Sequence, residues 1–220
     1  MLRRACLTVL ALVLLPATVQ AFDHHHHHDS DSDGGGGCGS SSEHTSATPA
    51  PTATAQRPTP VLSADHKRVF ITAAAFAGAV GGLNAADMYC QSAATDAGLP
   101  GTYRAWLSST STNALDRIDD VGPWYSMRDT VVFSSKSALR EAPTAQIVDE
   151  TGAAPLADNA PWTGTDAQGL GTGQDCEGWT NGTAEIVATT GSGFAADSEW
   201  SGGSATLHCD NKAPLICFQQ

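Results

Sequence analysis

Four cysteines in the C-terminal part of this 220-residue chain constrain its fold more than any other feature. They are Cys90, Cys176, Cys209 and Cys217, and no two of them form a CxxC pair. Their spacing therefore predicts neither a zinc knuckle nor a redox-active dithiol. In an exported protein, four such cysteines are expected to form disulfides, and spacing alone leaves all three pairings open.

The amino terminus has the pattern of an export signal. Arg3 and Arg4 form a positive n-region, residues 7–15 form an apolar h-region, and residues 19–21 place small side chains at a cleavage site. We therefore predict a signal peptide at 1–21 and a protein that is secreted or held at the cell surface or in the periplasm. The apolar run is too short to span a bilayer, and no later segment approaches the roughly 18 apolar residues of a transmembrane helix.

Residues 22–64 are predicted to be a disordered linker that begins with histidines and aspartates and continues as Gly, Ser, Thr and Pro. Imidazoles bind Zn, Ni and Cu, so one hypothesis is a metal-binding tract formed by His24, His25, His26, His27 and His28. The competing interpretation is a solvated low-complexity tether that requires no metal, and the composition favours it. Both interpretations leave 65–220 as the folded domain.

Cys38 raises the alternative of a lipid anchor, because it lies in the segment GGGGCGSSS, which is typical of a lipoprotein amino terminus. A lipidated cysteine is expected directly after the apolar h-region of the signal. Here a run of His, Asp and Ser residues intervenes. Plain secretion is therefore favoured over an outer-membrane lipoprotein.

The balance of charge excludes several classes of partner. The chain carries 11 Lys and Arg against 23 Asp and Glu, a formal net charge of −12. Nucleic acid is disfavoured because phosphate binding needs a basic face. Anionic membranes and sulfated polysaccharides are disfavoured for the same reason. Solubility is the simplest interpretation of this acidity.

Hydrophobic periodicity indicates a loop-rich α+β fold. A strand is predicted at 68–72 and a helix at 85–97, with Asn84 as its N-cap and Gly98 as the residue that ends it. The apolar side of this helix is predicted to consist of Met88, Cys90, Ala94 and Ala97. Further short strands are predicted at 103–107, 124–127, 130–133, 160–162, 186–188, 205–209 and 215–218. The stretches without periodicity are 163–183 and 189–204.

Several segments together resemble the collagen-derived endostatin domain. They are residues 81–90 (GGLNAADMYC), 97–108 (AGLPGTYRAWLS), 162–166 (WTGTD), 176–179 (CEGW), 207–209 (LHC) and 215–218 (LICF). The chain is more similar still to the bacterial, leptospiral-type endostatin-like surface proteins, a family first described as a domain of unknown function. The resemblance covers nearly all of 66–220, and the order and spacing of the motifs and all four cysteines fit it.

This resemblance implies a C-type-lectin-like fold with two nested disulfides. The first cysteine of the domain then pairs with the last, which gives Cys90–Cys217, and the middle two give Cys176–Cys209. The resemblance also implies a surface protein that binds extracellular ligands, since leptospiral relatives bind host matrix proteins and complement regulators.

Three properties of related families do not carry over to these residues. Endostatins bind heparin through clustered arginines, whereas residues 66–220 hold eight Lys and Arg against 17 Asp and Glu, so heparin binding is not expected. Endostatin holds zinc through amino-terminal histidines, and the histidine run here does not match those positions. The tripeptides with which C-type lectins coordinate calcium are also missing from this sequence.

No motif of a common enzyme class is found. The domain has two histidines, His66 at its edge and His208 beside a cysteine, and the sequence contains neither a GxSxG elbow nor an HExxH pair. The acidic pairs at 119–120 and 149–150 are expected to be solvated, because acid–base catalysis needs carboxylates placed across a cleft. No catalytic residue and no required cofactor are therefore predicted, and a secreted hydrolase is kept as the second alternative.

The favoured function is an exported recognition or adhesion module whose ligand is an extracellular protein or carbohydrate, with metal binding by the histidine tract as the first alternative. The binding face is predicted in the irregular part of the domain, because aromatic residues among polar ones are typical of contact surfaces. Its candidate residues are Asp166, Asp175, Glu177, Trp179, Asn181, Asp197, Glu199 and Trp200. The competing interpretation is that Trp179 and Trp200 are core residues.

Overall fold

A mixed α+β fold is seen in the computed structural model, which describes residues 62–155, 160–193, 197–203 and 205–220. The helices of these ranges are α1 (Leu83–Asp96) and α2 (Ala114–Arg117), with two short 3-10 helices at Ser137–Arg140 and Ser198–Trp200 and a four-residue turn at Cys176–Trp179. The strands of the same ranges are β1 (Lys67–Ile71), β2 (Phe76–Ala77), β3 (Tyr103–Ala105), β4 (Trp124–Tyr125), β5 (Val131–Phe133), β6 (Val187–Thr189), β7 (Thr206–His208), β8 (Lys212–Ala213) and β9 (Ile216–Gln219). None of the helices in these ranges is long and apolar enough to cross a bilayer.

The main sheet has five strands in the order β3-β9-β1-β4-β5. Its centre pairs the first strand with the last, because β1 and β9 run antiparallel with Phe70 opposite Cys217. On the other edge of β1, β4 runs parallel to it. Two smaller two-stranded pairings, β2-β8 and β6-β7, lie outside this sheet. The two ends of the domain are therefore joined by main-chain hydrogen bonds at the middle of the sheet.

Alternation along the central strands divides the buried side chains into two clusters, because successive residues of a strand face opposite sides. We call the cluster that includes Phe70 and Cys217 the helix-side core, and its larger members also include Trp162, Trp179 and Leu215. We call the other cluster the aromatic core; its members include Val69, Ile71, Trp106, Trp124, Phe133, Trp200 and Phe218. Each face of the sheet is thus covered by its own set of apolar residues.

Helix α1 packs on the sheet through small side chains, since its buried residues are Ala86, Cys90 and Ala94. The sequence predicts Met88 and Ala97 in this buried face, and both are wrong, because Met88 is 72% exposed and Ala97, just beyond the end of α1, is also exposed. Asn84 is not the N-cap either. The helix begins two residues earlier than predicted, after Gly82, and the carbonyl of Trp179 accepts hydrogen bonds from the amides of Gly81 and Gly82. The start of α1 is therefore fixed by a distant tryptophan, which local capping rules do not include.

Two disulfides join the chain as the family resemblance implies. Cys90 of α1 is bonded to Cys217 of β9, with 5.5 Å between the Cα atoms and a sequence separation of 127. Cys176 is bonded to Cys209, with 5.8 Å between the Cα atoms and a separation of 33. The nested pairing is confirmed, and all four cysteines lie in the helix-side core.

Seven of the eight predicted strands are present; four are shorter than predicted, and three have the predicted length but are shifted by one residue. The exception is 160–162, where Trp162 forms only isolated bridges with Thr190 and Leu215. Pro161 has no amide hydrogen to donate, so a regular ladder does not form there. In the irregular region around it, buried hydroxyl groups replace strand pairing; the Ser108 hydroxyl, for example, accepts a hydrogen bond from the Ala114 amide at 2.8 Å.

Candidate functional site

The eight predicted ligand-binding residues lie on three segments of the chain. Asp175, Glu177, Trp179 and Asn181 lie in or beside the turn Cys176–Trp179. Asp197, Glu199 and Trp200 belong to the 3-10 helix Ser198–Trp200 and the residue before it. Asp166 starts another loop, in which its carboxylate accepts hydrogen bonds from the amides of Gln168 and Leu170. Its carbonyl accepts a hydrogen bond from the hydroxyl of Ser201, the residue after Trp200, so this loop contacts the 3-10 helix segment.

Both tryptophans of this set belong to the core. Trp179 and Trp200 are fully buried. The indole nitrogen of Trp179 donates to the carbonyl of Ser108 at 2.7 Å, and that of Trp200 donates to the carbonyl of Glu141 at 3.0 Å. The interpretation of these two residues as core residues is thus the correct one, and neither is accessible to a ligand in this conformation.

Asp175 holds a left-handed turn. Four consecutive residues, from Cys176 to Trp179, have φ values of 50°, 53°, 69° and 68°. Left-handed backbone costs non-glycine residues about 1–2 kcal/mol each, so surrounding contacts must stabilise it. The Asp175 carboxylate accepts from the Gly178 amide at 3.1 Å, and from the amide and hydroxyl of Thr110 at 2.7 and 2.9 Å. It is only 3% exposed, so its contacts are structural.

Beside this turn lies an acidic depression of about 410 Å³. Glu177 and Glu185 provide its exposed carboxylates, and the amide group of Asn181 donates to Glu177 at 3.0 Å. A hydrogen bond from Thr183 holds the pKa of Glu185 below its usual range. Within the described ranges, no three His, Cys, Asp or Glu side chains come close enough together to hold a metal ion. The depression is open and polar, and its carboxylates are dispersed.

A second cleft, which the sequence analysis does not identify, lies along α1. We call it the α1 cleft; its volume is about 380 Å³, and its lining residues are Ala74, Phe76, Tyr89, Ser92, Ala93, Asp96, Ala97, Glu150 and Thr151. The helical members of this set recur at intervals of three and four residues, so they form one continuous stripe of α1. The stripe adjoins the buried face of Cys90 and Ala94 and is distinct from it.

The α1 cleft is lined by a partly exposed aromatic side chain. Tyr89 is 40% exposed, whereas Met88, the residue before it, is 72% exposed but is not part of the cleft lining. The ring of Tyr89 packs against that of Phe76 with 4.4 Å between centroids. Phe76 and Ala93 also pack against the helix-side core, which makes the floor of the cleft continuous with the folded interior. The spacing of Tyr89, Ala93 and Ala97 along the predicted helix is the sequence signal that identifies this stripe.

Two carboxylates complete the α1 cleft. Asp96 is the last residue of α1, and Glu150 faces it from the loop that follows β5. One oxygen of Glu150 accepts a hydrogen bond from the Ala73 amide at 2.8 Å, which fixes the side chain in place. All the residues that line this cleft are apolar, polar or acidic, so a basic side chain is absent from this described lining. The cleft is apolar at its floor and negative at its rim.

Arg104, in the endostatin-like segment 97–108, and Arg117 both form hydrogen bonds and ion pairs within the domain. Arg104 donates to the carbonyl of Arg117 at 2.7 Å and forms an ion pair with Asp119 at 3.3 Å. Arg117 pairs with Asp87 at 2.6 Å and also donates to the carbonyls of Ala105 and Leu107. These contacts engage part of each guanidinium group, and the absence of heparin binding stays a prediction.

The two histidines of the domain lie apart. His66 stacks on Tyr125 with 3.7 Å between ring centroids and makes a hydrogen bond of 2.9 Å to Asp129. His208 lies on the exposed strand β7. In the described residues, no hydroxyl group is hydrogen-bonded to either imidazole, and a nucleophile–histidine pair is not seen there. The histidine tract at 24–28 and Cys38 lie outside the described residues, so the metal and lipid hypotheses stay predictions.

Comparisons with known proteins add no family assignment. No protein-family model matches the chain, and no match is found among curated proteins. What the structure defines is a class: a disulfide-bonded α+β domain with an exposed, partly aromatic cleft beside its longest described helix.

Proposed function

We propose that this chain is an exported, non-catalytic recognition module of the C-type-lectin-like class, and that the α1 cleft is its binding face. The observation that carries the proposal is the exposure of Tyr89 in a largely apolar cleft of about 380 Å³. Ligand sites are typically concave and mostly apolar, with a few polar groups that set orientation. The ligand is an extracellular protein or carbohydrate.

Three features support the C-type-lectin-like class. The first and last strands of the domain pair at the centre of the sheet, so the chain between them forms one long excursion whose two ends are adjacent. The disulfides are nested in the order that the family resemblance implies. Much of the chain between β5 and β9 lies outside helices and strands in the described residues. Disulfides form and persist in oxidising compartments, which also supports export.

The α1 cleft is favoured over the acidic depression for a physical reason. In the acidic depression, the Asp175 carboxylate already accepts hydrogen bonds from Thr110 and Gly178. Trp179, in the adjoining turn, is fully buried. The α1 cleft instead leaves 40% of Tyr89 exposed, next to the half-buried ring of Phe76 and the small apolar side chains of α1. Contiguous exposed apolar surface is a mark of interaction sites. Aromatic residues such as Tyr89 contribute a large share of binding energy when a partner buries them.

The experiment that tests this proposal uses Tyr89→Ala. The full exported chain and this variant are applied to arrays of purified extracellular matrix proteins and glycans. We expect retention of at least one ligand by the unmodified chain and a loss of about tenfold or more in affinity for the variant, as at interface hot spots. The matched control is Leu170→Ala, since Leu170 is 45% exposed but lies away from the α1 cleft.

Two results contradict the proposal. One is the retention of no ligand by the unmodified chain. The other is a ligand that Glu177→Gln and Glu185→Gln release while Tyr89→Ala retains it, because that result places binding in the acidic depression.

A further inference from the structure

We propose that the α1 cleft takes a lysine or arginine side chain from a peptide segment of a partner protein. This inference rests on the proposed function, because it names the chemistry of the ligand for the same cleft. It comes from the combination of an apolar floor, two aromatic rings and two carboxylates that face one space.

The size of the α1 cleft limits its occupant. A volume of about 380 Å³ is near the lower end of the range for ligand pockets, which is roughly 300–1,000 Å³. Such a space takes one or two side chains of an extended peptide.

The floor of the cleft matches the stem of a long basic side chain. Ala74, Ala93 and Ala97 provide small apolar surfaces along it. Lys and Arg bury their methylene stems along such surfaces while their charged ends stay near polar groups. Phe76 and Tyr89 line the same cleft, and aromatic rings attract an adjacent cation through their quadrupole. A purely apolar side chain would pack on the floor of the cleft but would leave the carboxylates of Asp96 and Glu150 without an opposite charge.

The rim supplies the complementary charge. In the described residues, neither Asp96 nor Glu150 forms an ion pair with a Lys, Arg or His side chain. The hydrogen bond from the Ala73 amide occupies one oxygen of Glu150 and leaves the other available. Both carboxylates therefore face the cleft without an opposite charge from these residues.

The position of Asp96 at the end of α1 is electrostatically unfavourable. It is the last residue of α1, and the carboxyl-terminal end of a helix carries partial negative charge. An aspartate there opposes the helix dipole, and the last turn of α1 contains no basic residue to offset it. A cation bound in the cleft would lie close to both sources of negative charge.

The net charge of the chain limits which molecules could supply the ligand. With a net charge of −12, a second copy of this chain is repelled at an acidic rim, and anionic membranes are repelled as well. A basic peptide segment of another protein meets both requirements of the cleft, apolar contact and positive charge.

The test is an NMR titration of the isotope-labelled full chain with three capped pentapeptides that differ only at the central residue: Ala-Leu-Lys-Leu-Ala, its norleucine analogue and its glutamate analogue. We expect shifts of the amides of Tyr89, Ala93 and Ala97 and an affinity at least fivefold higher for lysine than for norleucine. The glutamate peptide should bind most weakly, and added salt should reduce the lysine preference.

Matched variants isolate the charges. The double variant Asp96→Asn, Glu150→Gln should lower the affinity for the lysine peptide at least fivefold and leave that for the norleucine peptide unchanged. Both replacements keep a side-chain oxygen, so the bond from Ala73 can still form, and an unchanged Tm verifies the fold. The control Glu177→Gln, Glu185→Gln removes two charges from the acidic depression and should leave both affinities unchanged.

Equal affinity for the lysine and norleucine peptides overturns this inference while leaving the α1 cleft as a binding face. The absence of cleft shifts with any peptide also overturns it, whereas the proposed function fails separately, through the array experiment with Tyr89→Ala. A dimer in sedimentation equilibrium that Tyr89→Ala dissociates would assign the cleft to a second copy of the chain and likewise overturn the inference.

Discussion

The two faces of the central sheet are stabilised in different ways. The helix-side core contains all four cysteines of the domain, and α1 contributes only small buried residues to it. The aromatic core contains none of these cysteines. Its large rings instead pack closely, with centroid distances of 4.7 Å for Phe133–Trp200 and 5.0 Å for Trp106–Trp200. Covalent bonds support the face on which α1 buries only small side chains, and closely packed aromatic rings support the other.

This difference bears on the candidate site. A helix that is anchored only by burial must turn its large apolar side chains toward the core. Helix α1 is anchored by the Cys90–Cys217 disulfide, so it can keep Met88 and Tyr89 exposed. The disulfide therefore leaves the outer surface of α1 available for a ligand, and the following substitutions test how far the two faces depend on different forces.

The largest effect is expected from removal of the longer disulfide. In the chain-entropy model, a closure of this length contributes about 4–5 kcal/mol, so Cys90→Ala, Cys217→Ala should lower the free energy of unfolding by that amount. Denaturant unfolding measures the loss, and hydrogen exchange should rise most in α1. The comparison variant Cys176→Ala, Cys209→Ala removes a disulfide that closes a shorter loop, so its loss of unfolding free energy should be smaller. A larger loss for the shorter loop would contradict the entropic account.

The aromatic core should respond strongly to loss of one of its large rings. Trp200→Ala removes contacts with Trp106 and Phe133 and the hydrogen bond to the Glu141 carbonyl, and we expect a loss of about 3–5 kcal/mol. Urea unfolding under oxidising conditions measures it with both disulfides intact. Leu170→Ala, at an exposed position, should change the free energy of unfolding by less than about 0.5 kcal/mol. Similar losses for the two variants would mean that this face does not depend on aromatic burial.

A smaller effect is expected at the left-handed turn. Asp175→Asn keeps the shape of the side chain but replaces one accepting oxygen by a donor, which leaves donors from Thr110 or Gly178 unsatisfied. The expected loss is about 1–3 kcal/mol, measured by thermal unfolding. Glu177→Gln, next to it but exposed, serves as the control and should have little effect. An Asp175→Asn variant with unchanged thermal stability would show that the Cys176–Cys209 disulfide alone holds the turn.

The smallest effect concerns pH. Hydrogen bonds from His66 and Arg68 hold the pKa of Asp129 below its usual range. Because the folded pKa lies below the unfolded one, Asp129 stabilises the fold above about pH 3.9, and this contribution is lost as pH falls through its lowered pKa. Asp129→Asn should therefore reduce the urea midpoint at neutral pH and flatten its fall in acid. Asp210→Asn, in the turn before β8, is the control; an identical acid profile for both variants would contradict the assignment.

The success of the sequence analysis varies with the range of the interaction. The strand at 68–72 and the helix at 85–97 are found within a few residues of their predicted bounds, because their periodicity is local. The start of α1 was missed because it depends on Trp179, which is 97 residues after Gly82 in the chain. Met88 was misplaced because a helical pattern with few large residues does not distinguish its two sides. The predicted ligand residues were chosen by composition, and composition does not report burial.

By itself, the sequence determined the mixed α+β class, the position of the main helix and, through family resemblance, the pairing of the cysteines. These properties follow from local periodicity and from a few fixed residue types. Only the tertiary structure decided that Trp179 and Trp200 are internal and that Ala74, Tyr89 and Glu150 border one cleft. The physical reason is that a cleft is formed by segments far apart in the chain, and their approach depends on how the sheet, the helix and the disulfides pack together.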